Sequence, residues 1–360
     1  MAGVTEGPEE INPTASASSG SVPDTLRHHG DAEATPGLVD FAVNVQGAAP
    51  PVWLRDRLAA TLDDLARYPS ADHDGRAREA VARRHGRDPA EVLILAGSAE
   101  GFALLPALRP RLSAIVHPGF TEPEAALRAA GLPVTHVLTH GAHRLDPTVV
   151  PEEADLVVVG NPTNPTGVLH PAADLRRLAR PGRVVLVDEA FADAVPGEPE
   201  SLAGEPGALV FRSLTKTWAL AGLRAGYALG DPALLARLAA PRPHWPVSTL
   251  ALEAVIACSE PAAVAEAARL AEALAAHREA QATALAGIPG VEVLPGAAPY
   301  LLLKVPEGTR ERLRDRNVAV RRADTFPGLG PEYVRVAVRE PARAAILVEA
   351  LREVLVGVAA

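Results

Sequence analysis

The stretch DLVVVGNPTNPTGVLHPAADLRRLARPGRVVLVDEAF (155–191) decides the fold. It opens and closes on short runs, DLVVVG (155–160) and RVVLVD (183–188), that are apolar throughout instead of alternating, as strands buried on both faces are. Between them lies a helical segment near 171–179. Strand, helix, strand is the unit of a parallel sheet. Working outward, further apolar runs recur at VLILA (92–96), AIVH (114–117), VTHVL (134–138), ALVFRS (208–213) and AGYALG (225–230). Helical spacing is read over 52–66, 74–86, 99–109 and 122–130. The expectation is an α/β fold with a mostly parallel sheet and helices on both faces.

A Pro-rich break, PRPHWP (241–246), ends this region. An Ala-rich helical stretch over about 248–287 follows, interrupted near Pro261. Beyond it, VEVLP (291–295), YLLLKV (300–305), VAVRR (318–322) and YVRVAV (333–338) read as strands, with helices near 308–316 and 341–356. This predicts a smaller α+β C-terminal domain. The expected organisation is a disordered Ser/Ala/Pro-rich tail (1–24), an N-terminal arm (25–51), a large domain (52–246) and a small domain (247–360).

Composition narrows the function classes. A net charge of −9 argues against a nucleic-acid binder. The single cysteine, Cys258, rules out an intrachain disulfide and a cysteine metal cluster, and points to a reducing, cytoplasmic setting. No long apolar run or secretory leader is read, and no metal is expected. Of the 35 basic residues only Lys216 and Lys304 are lysine. Arginine cannot lose its proton at workable pH or form a Schiff base, so a retained lysine is a candidate for amine chemistry.

Four segments carry candidate chemistry. Gly97-Ser98-Ala99-Glu100-Gly101 lies between a strand and a helix, where free backbone N–H groups bind anions. Asn161-Pro162-Thr163-Asn164-Pro165-Thr166-Gly167 is a conformationally restricted loop that can aim Asn164. Asp188 ends a buried strand, where open α/β sheets bind ligands. Ser213-Leu214-Thr215-Lys216, with Arg224 eight residues on, can surround a phosphate. Alone, each also fits a turn, a cap or a solvated loop.

Together and in this order the four segments resemble the fold-type I, pyridoxal-phosphate-dependent aminotransferases, over about residues 40–340. The resemblance implies an aspartate aminotransferase-like fold and an enzyme with pyridoxal 5'-phosphate as cofactor. It implies Lys216 as the Schiff-base lysine and Asp188 as partner of the pyridine nitrogen. Asn164 would serve the ring's phenolic oxygen, and Phe120, in HPGFTEP, would stack on the ring. Ser98, Ala99, Ser213 and Arg224 would hold the cofactor phosphate. Tyr68, in RYPS, would reach the neighbouring subunit's cofactor, which implies a homodimer. Arg335 would clamp a substrate carboxylate and Arg321 a second anionic group, with Asn44 and His28 also on the substrate side.

LRHHGD (26–31), DFAVNVQGAAPP (40–51) and VRRADTFPGLGPEYVRVAVR (320–339) resemble threonine-phosphate decarboxylases and related aminotransferase-like proteins of cobalamin biosynthesis. Histidinol-phosphate aminotransferases are similar but less close. The first expectation is therefore decarboxylation of L-threonine-O-3-phosphate. The alternative is histidinol-phosphate-type transamination with 2-oxoglutarate or glutamate, and a lesser one is a non-catalytic cofactor-binding protein. Phe191 stands where many relatives have tyrosine, which implies one hydrogen bond fewer to the phenolic oxygen and a more basic Schiff base. Val45-Gln46-Gly47 and Asp31 also depart from the family pattern near the substrate side.

Overall fold

The computed structural model describes residues 24–356, so the tail expected at 1–24 lies, but for Asp24, outside the described residues. In chain order the first elements are β1 (Val39–Asp40), α1 (Val52–Ala59), α2 (Ala71–His85) and β2 (Val92–Leu95). Then follow α3 (Ser98–Leu104), β3 (Ser113–His117), α4 (Glu122–Ala129), β4 (Val134–Leu138), β5 (Leu156–Gly160), α5 (Ala172–Arg177) and β6 (Val184–Asp188). Next are β7 (Leu209–Ser213), β8 (Gly226–Leu229), α6 (Pro232–Ala239), α7 (Thr249–Ser259) and α8 (Pro261–Ala286). The last are β9 (Glu292–Val293), β10 (Tyr300–Lys304), α9 (Thr309–Arg314), β11 (Val318–Ala319), β12 (Arg321–Arg322), β13 (Tyr333–Ala337) and α10 (Pro341–Val356).

Where boundaries differ from the sequence reading, a local cause is visible. The helix read over 52–66 stops at Ala59 and resumes as a 3-10 turn at Leu62–Ala66. Thr61 Oγ1 donates to the Leu58 carbonyl at 2.8 Å, a local bond that competes with the helical ladder. The helix read over 99–109 leaves α geometry after Leu104, two residues before Pro106, which has no N–H to donate. VAVRR divides between sheets, because Val318–Ala319 pairs with β1 while Arg321–Arg322 pairs with β13. α2 ends as its sequence requires: Ser70 Oγ caps the His73 N–H, and Gly86 closes the helix at φ 64°.

The large sheet has the order β2-β8-β7-β6-β5-β3-β4. Pairings from β7 through β4 are parallel, while β8 runs antiparallel to both β2 and β7. The carboxyl ends of β2, β5, β6 and β7 therefore share one edge with the start of β8. Val157, Val187 and Val210 on one face and Leu186, Leu209 and Phe211 on the other are buried in separate cores, so both faces are covered. A second sheet, β12-β13-β10-β9, is antiparallel and packs with α8 and α10 around Leu301, Leu303, Val334 and Leu351. α7, with Ala251, Leu252 and Val255, packs into the core of the large sheet. The fold is aspartate aminotransferase-like, as expected.

Residues 39–46 tie the two sheets together. Val39 pairs with Val318, the Ala337 N–H donates to the Phe41 carbonyl, and the Gln46 N–H donates to the Lys216 carbonyl at 2.9 Å. Arg339 fastens the segment by donating to the carbonyls of Val43 at 2.6 Å and Val45 at 3.0 Å.

Candidate active site

The shared edge gathers the four sequence segments. At the end of β2, Gly97 takes φ 80°. A Cβ there would meet Arg224 Nη2 at 2.6 Å, so the guanidinium lies against the turn that opens α3 at Ser98 and Ala99. A Cβ on Gly226 would meet the Ser98 N at 2.9 Å. Both positions need glycine because backbone and guanidinium already occupy the space. Ser213 pairs with Gly226 across the ladder, and its Oγ lies 2.7 Å from Thr215 Oγ1. Backbone N–H groups, hydroxyls and one arginine thus meet at one turn, and groups of this kind can hold a phosphate.

Asp188 ends β6 beside Gly160 at the end of β5. Its Oδ1 accepts from the Ala190 N–H at 3.2 Å. Burial pushes the carboxyl up to about 7. Lys216 is pushed down to about 8, first by burial and then by the charges of Arg335 and Arg224, with Asp188 and Asp31 opposing. Its Nζ sits 5.9 Å from the Phe191 ring centroid. A carboxyl held this high and an amine held this low are what a ring with a protonated nitrogen and an aldehyde would engage. The residues present fit pyridoxal phosphate: the groups around Gly97 and Gly226 could hold its phosphate, and Asp188 and Lys216 could serve its ring.

Arg335 closes the small-domain side. It donates from Nη1 to Asn164 Oδ1 at 2.5 Å and from Nη2 to the Ala42 carbonyl at 2.6 Å. With its amide oriented to accept, Asn44 receives Nη1 at 3.1 Å and Nε at 3.2 Å. Arg321 stands opposite Arg335 in the β12–β13 ladder. It donates from Nη2 to Thr325 Oγ1 at 2.7 Å and to the His28 carbonyl at 2.5 Å. Burial pushes Arg335 down to about 10 and Arg321 down to about 9. Among the described residues neither has a carboxylate in an ion pair; their partners are carbonyls, a hydroxyl and amides. Two buried guanidiniums with no carboxylate in direct contact can receive an incoming anion.

The remaining sequence candidates fall at different places. Phe120 is half-buried between His29, at 5.5 Å between ring centroids, and Phe102, at 5.6 Å. His28 reaches Arg321 through its carbonyl, while its Nε2 bonds Glu33 Oε1 at 3.0 Å. Tyr68 stands apart, 74 % exposed, with its ring stacked on Trp245 at 4.1 Å. Glu189, next to Asp188, turns into a buried ion network with Arg212 at 2.8 Å.

Tyr300 escaped the sequence reading, where it was only the first residue of a strand. Its hydroxyl donates to the Thr163 carbonyl at 3.0 Å, its ring meets Phe191 edge-on at 5.0 Å, and the Arg335 guanidinium lies over it at 5.3 Å. A buried aromatic opening a strand in a chain with only four tyrosines was the available signal. The large cleft, about 750 Å³, lies behind Thr217 and Trp218 and is lined by none of Asn164, Asp188, Lys216 or Arg335.

Residues 37–351 match the family described as aminotransferase class I and II. The chain belongs to that family. A histidinol-phosphate aminotransferase of Mycobacterium tuberculosis is 56 % identical over 317 residues, covering 87 % of each chain. The threonine-phosphate decarboxylase of Salmonella typhimurium is 34 % identical over 343 residues, covering 89 % of this chain and 92 % of that one. The aspartate aminotransferase of Thermus thermophilus shares the fold with a TM-score of 0.78 at 22 % identity, covering 88 % of this chain and 92 % of that one. Class I and II aminotransferases use pyridoxal phosphate, and this chain is an enzyme of that superfamily. Among the described residues no helix is long and apolar enough to cross a membrane.

Proposed function

We propose that this class I/II aminotransferase transfers the amino group of a phosphorylated amine, of the histidinol-phosphate kind, to 2-oxoglutarate. The observation that carries the reading is the buried Arg321–Arg335 pair, opposite each other and without a carboxylate partner, which suits a dianionic group. The relatives turn the choice of reaction: identity is 56 % to a protein named for histidinol-phosphate transamination and 34 % to one named for threonine-phosphate decarboxylation. This reverses the order expected from the terminal segments, in which the decarboxylase came first.

Each residue then has a physical task. Pyridoxal phosphate, when bound, supplies an electron sink for the carbon that bears the amine. The glycine cradle with Ser98, Ala99, Ser213 and Arg224 would hold its phosphate. Asp188 would offer its carboxylate to the ring nitrogen, and a pairing there would keep it ionised at neutral pH. Lys216, already pushed down to about 8, keeps a fraction of its amine neutral near pH 7, so Nζ can take a proton from the substrate carbon and return it. Arg321 and Arg335 orient the substrate anion, and with a carboxylate co-substrate the fork of Arg335 offers two parallel hydrogen bonds. Tyr68, exposed on its own subunit, would complete the phosphate site of a second copy in a homodimer.

The deciding assay incubates the cofactor-loaded protein with histidinol phosphate and 2-oxoglutarate, and separately with L-threonine phosphate. Glutamate formed in strict dependence on both first substrates is expected. Release of CO2 from threonine phosphate without any oxo-acid acceptor would return the decarboxylase reading to first place. No cofactor absorbance in the purified protein would overturn both.

A further inference from the structure

His117, Glu124 and His136 form a cluster of their own at the far edge of the large sheet. In the parallel β3–β4 pair, Ile115 stands opposite His136 and His117 opposite Leu138. Residues two apart on a strand share a face, so both imidazoles project on the same side of the sheet. α4 covers that side, and Glu124, on its buried face, reaches between them. Glu124 Oε2 is 3.0 Å from His117 Nε2, and Oε1 is 2.8 Å from His136 Nε2. The two imidazole centroids are 4.6 Å apart, and all three ligand atoms lie within 4.8 Å of one another.

We propose that His117, Glu124 and His136 bind a divalent cation of the zinc type, with a fourth coordination position left to water. Two imidazole nitrogens and one carboxylate are a known three-ligand set for such ions, and imidazole favours zinc or cobalt over magnesium or calcium. Bonds of 2.0–2.1 Å in a tetrahedron place ligand atoms about 3.3 Å apart, so small side-chain shifts convert the hydrogen-bonded cluster into a coordination sphere. On coordination Nε2 of each ring would face the ion, and His117 Nδ1, which is buried without a hydrogen-bond partner, would carry that ring's proton. The His136 side chain is 31 % exposed and gives the ion its way in. One group competes: Arg128, a turn along α4, donates to Glu124 Oε1 at 2.6 Å. Its side chain is 38 % exposed, so it can swing into solvent as the ion enters. A bound ion would fasten α4 to β3 and to the edge strand β4, next to the turn that leads to Phe120.

The test uses full-length, cofactor-loaded protein stripped with a chelator and titrated with Co2+, then with Zn2+. The expected result is one Co2+ per chain, with the visible ligand-field absorption of a low-coordinate ion that Zn2+ displaces. His136→Ala should lose that signal while keeping the cofactor absorbance and the melting temperature in the absence of metal. Arg128→Gln keeps all three ligands and removes the competing cation, so it should bind about tenfold more tightly or better. An equally strong cobalt signal in His136→Ala would place the ion elsewhere. No stoichiometric binding by either wild type or Arg128→Gln would leave the cluster a hydrogen-bonded hub only, and the proposal would fall. Neither outcome bears on transamination, which is read separately from glutamate formation.

Discussion

The two sides of the candidate active site are built differently. On the large-domain edge, Ser98, Asn164, Asp188 and Lys216 each sit within a few residues of a buried strand end, so each is aimed by its own segment. On the small-domain side, Arg335 is held by the Ala42 carbonyl and the amides of Asn44 and Asn164, all distant in the chain, while Arg321 joins the distant His28 carbonyl to its near neighbours Arg322 and Thr325. The first side tunes protonation, lifting Asp188 to about 7 and lowering Lys216 to about 8. The second side keeps its charges and leaves them without a counter-ion. Chemistry is thus written locally along the chain, and recognition is assembled from pieces of it.

That contrast can be broken most sharply at Lys216. Lys216→Ala should lower turnover by roughly 10²–10⁴-fold and abolish the covalent cofactor absorbance, while leaving the protein folded. Turnover that survives would remove the large-domain edge from the chemistry. On the recognition side, Arg321→Gln should raise KM for a phosphorylated amine by about ten- to hundredfold and change kcat less. The same variant should bind the dephosphorylated amine no worse than the wild type does. An equal loss on both would show that Arg321 supports the fold and not the phosphate.

A smaller effect should appear in stability. Asp188 has a folded pKa raised from 3.8 to about 7, so between those values the folded, cofactor-free protein binds more protons than the unfolded chain. Its stability should therefore fall as pH rises from about 4 to 7. Cofactor-free Asp188→Asn should melt above wild type at pH 8 and match it near pH 3.5, by thermal denaturation at both. A constant difference would show that Asp188 already has a partner. The smallest change is expected for Tyr68→Phe, a few-fold weakening of cofactor binding from one lost hydrogen bond. In mixed dimers with Lys216→Ala, that loss should follow the subunit facing the altered Tyr68.

Much of the chemical side was legible in advance because it depends on short-range signals. Continuous apolar runs gave the strands β5, β6 and β7, and the residues at or just past their ends form the candidate site. Boundaries were misread where a single side chain intervened, as at Thr61, or where a missing N–H did, as at Pro106. The recognition side was legible only through resemblance, since nothing in VAVRR shows that Val318 and Arg321 join different sheets. Tyr300 was missed because its role comes from three partners, Thr163, Phe191 and Arg335, none near it in the chain.

By itself, then, the sequence determined a mostly parallel sheet whose strand ends carry Ser98, Asn164, Asp188 and Lys216, because burial pattern and loop chemistry act over a few residues. Only the tertiary structure decided the glycine cradle at Gly97 and Gly226, the opposed Arg321 and Arg335, the strap from Val39 to Gln46, and the cluster at Glu124. Those depend on register and on close approach between segments far apart in the chain, which fix distances that no local pattern encodes.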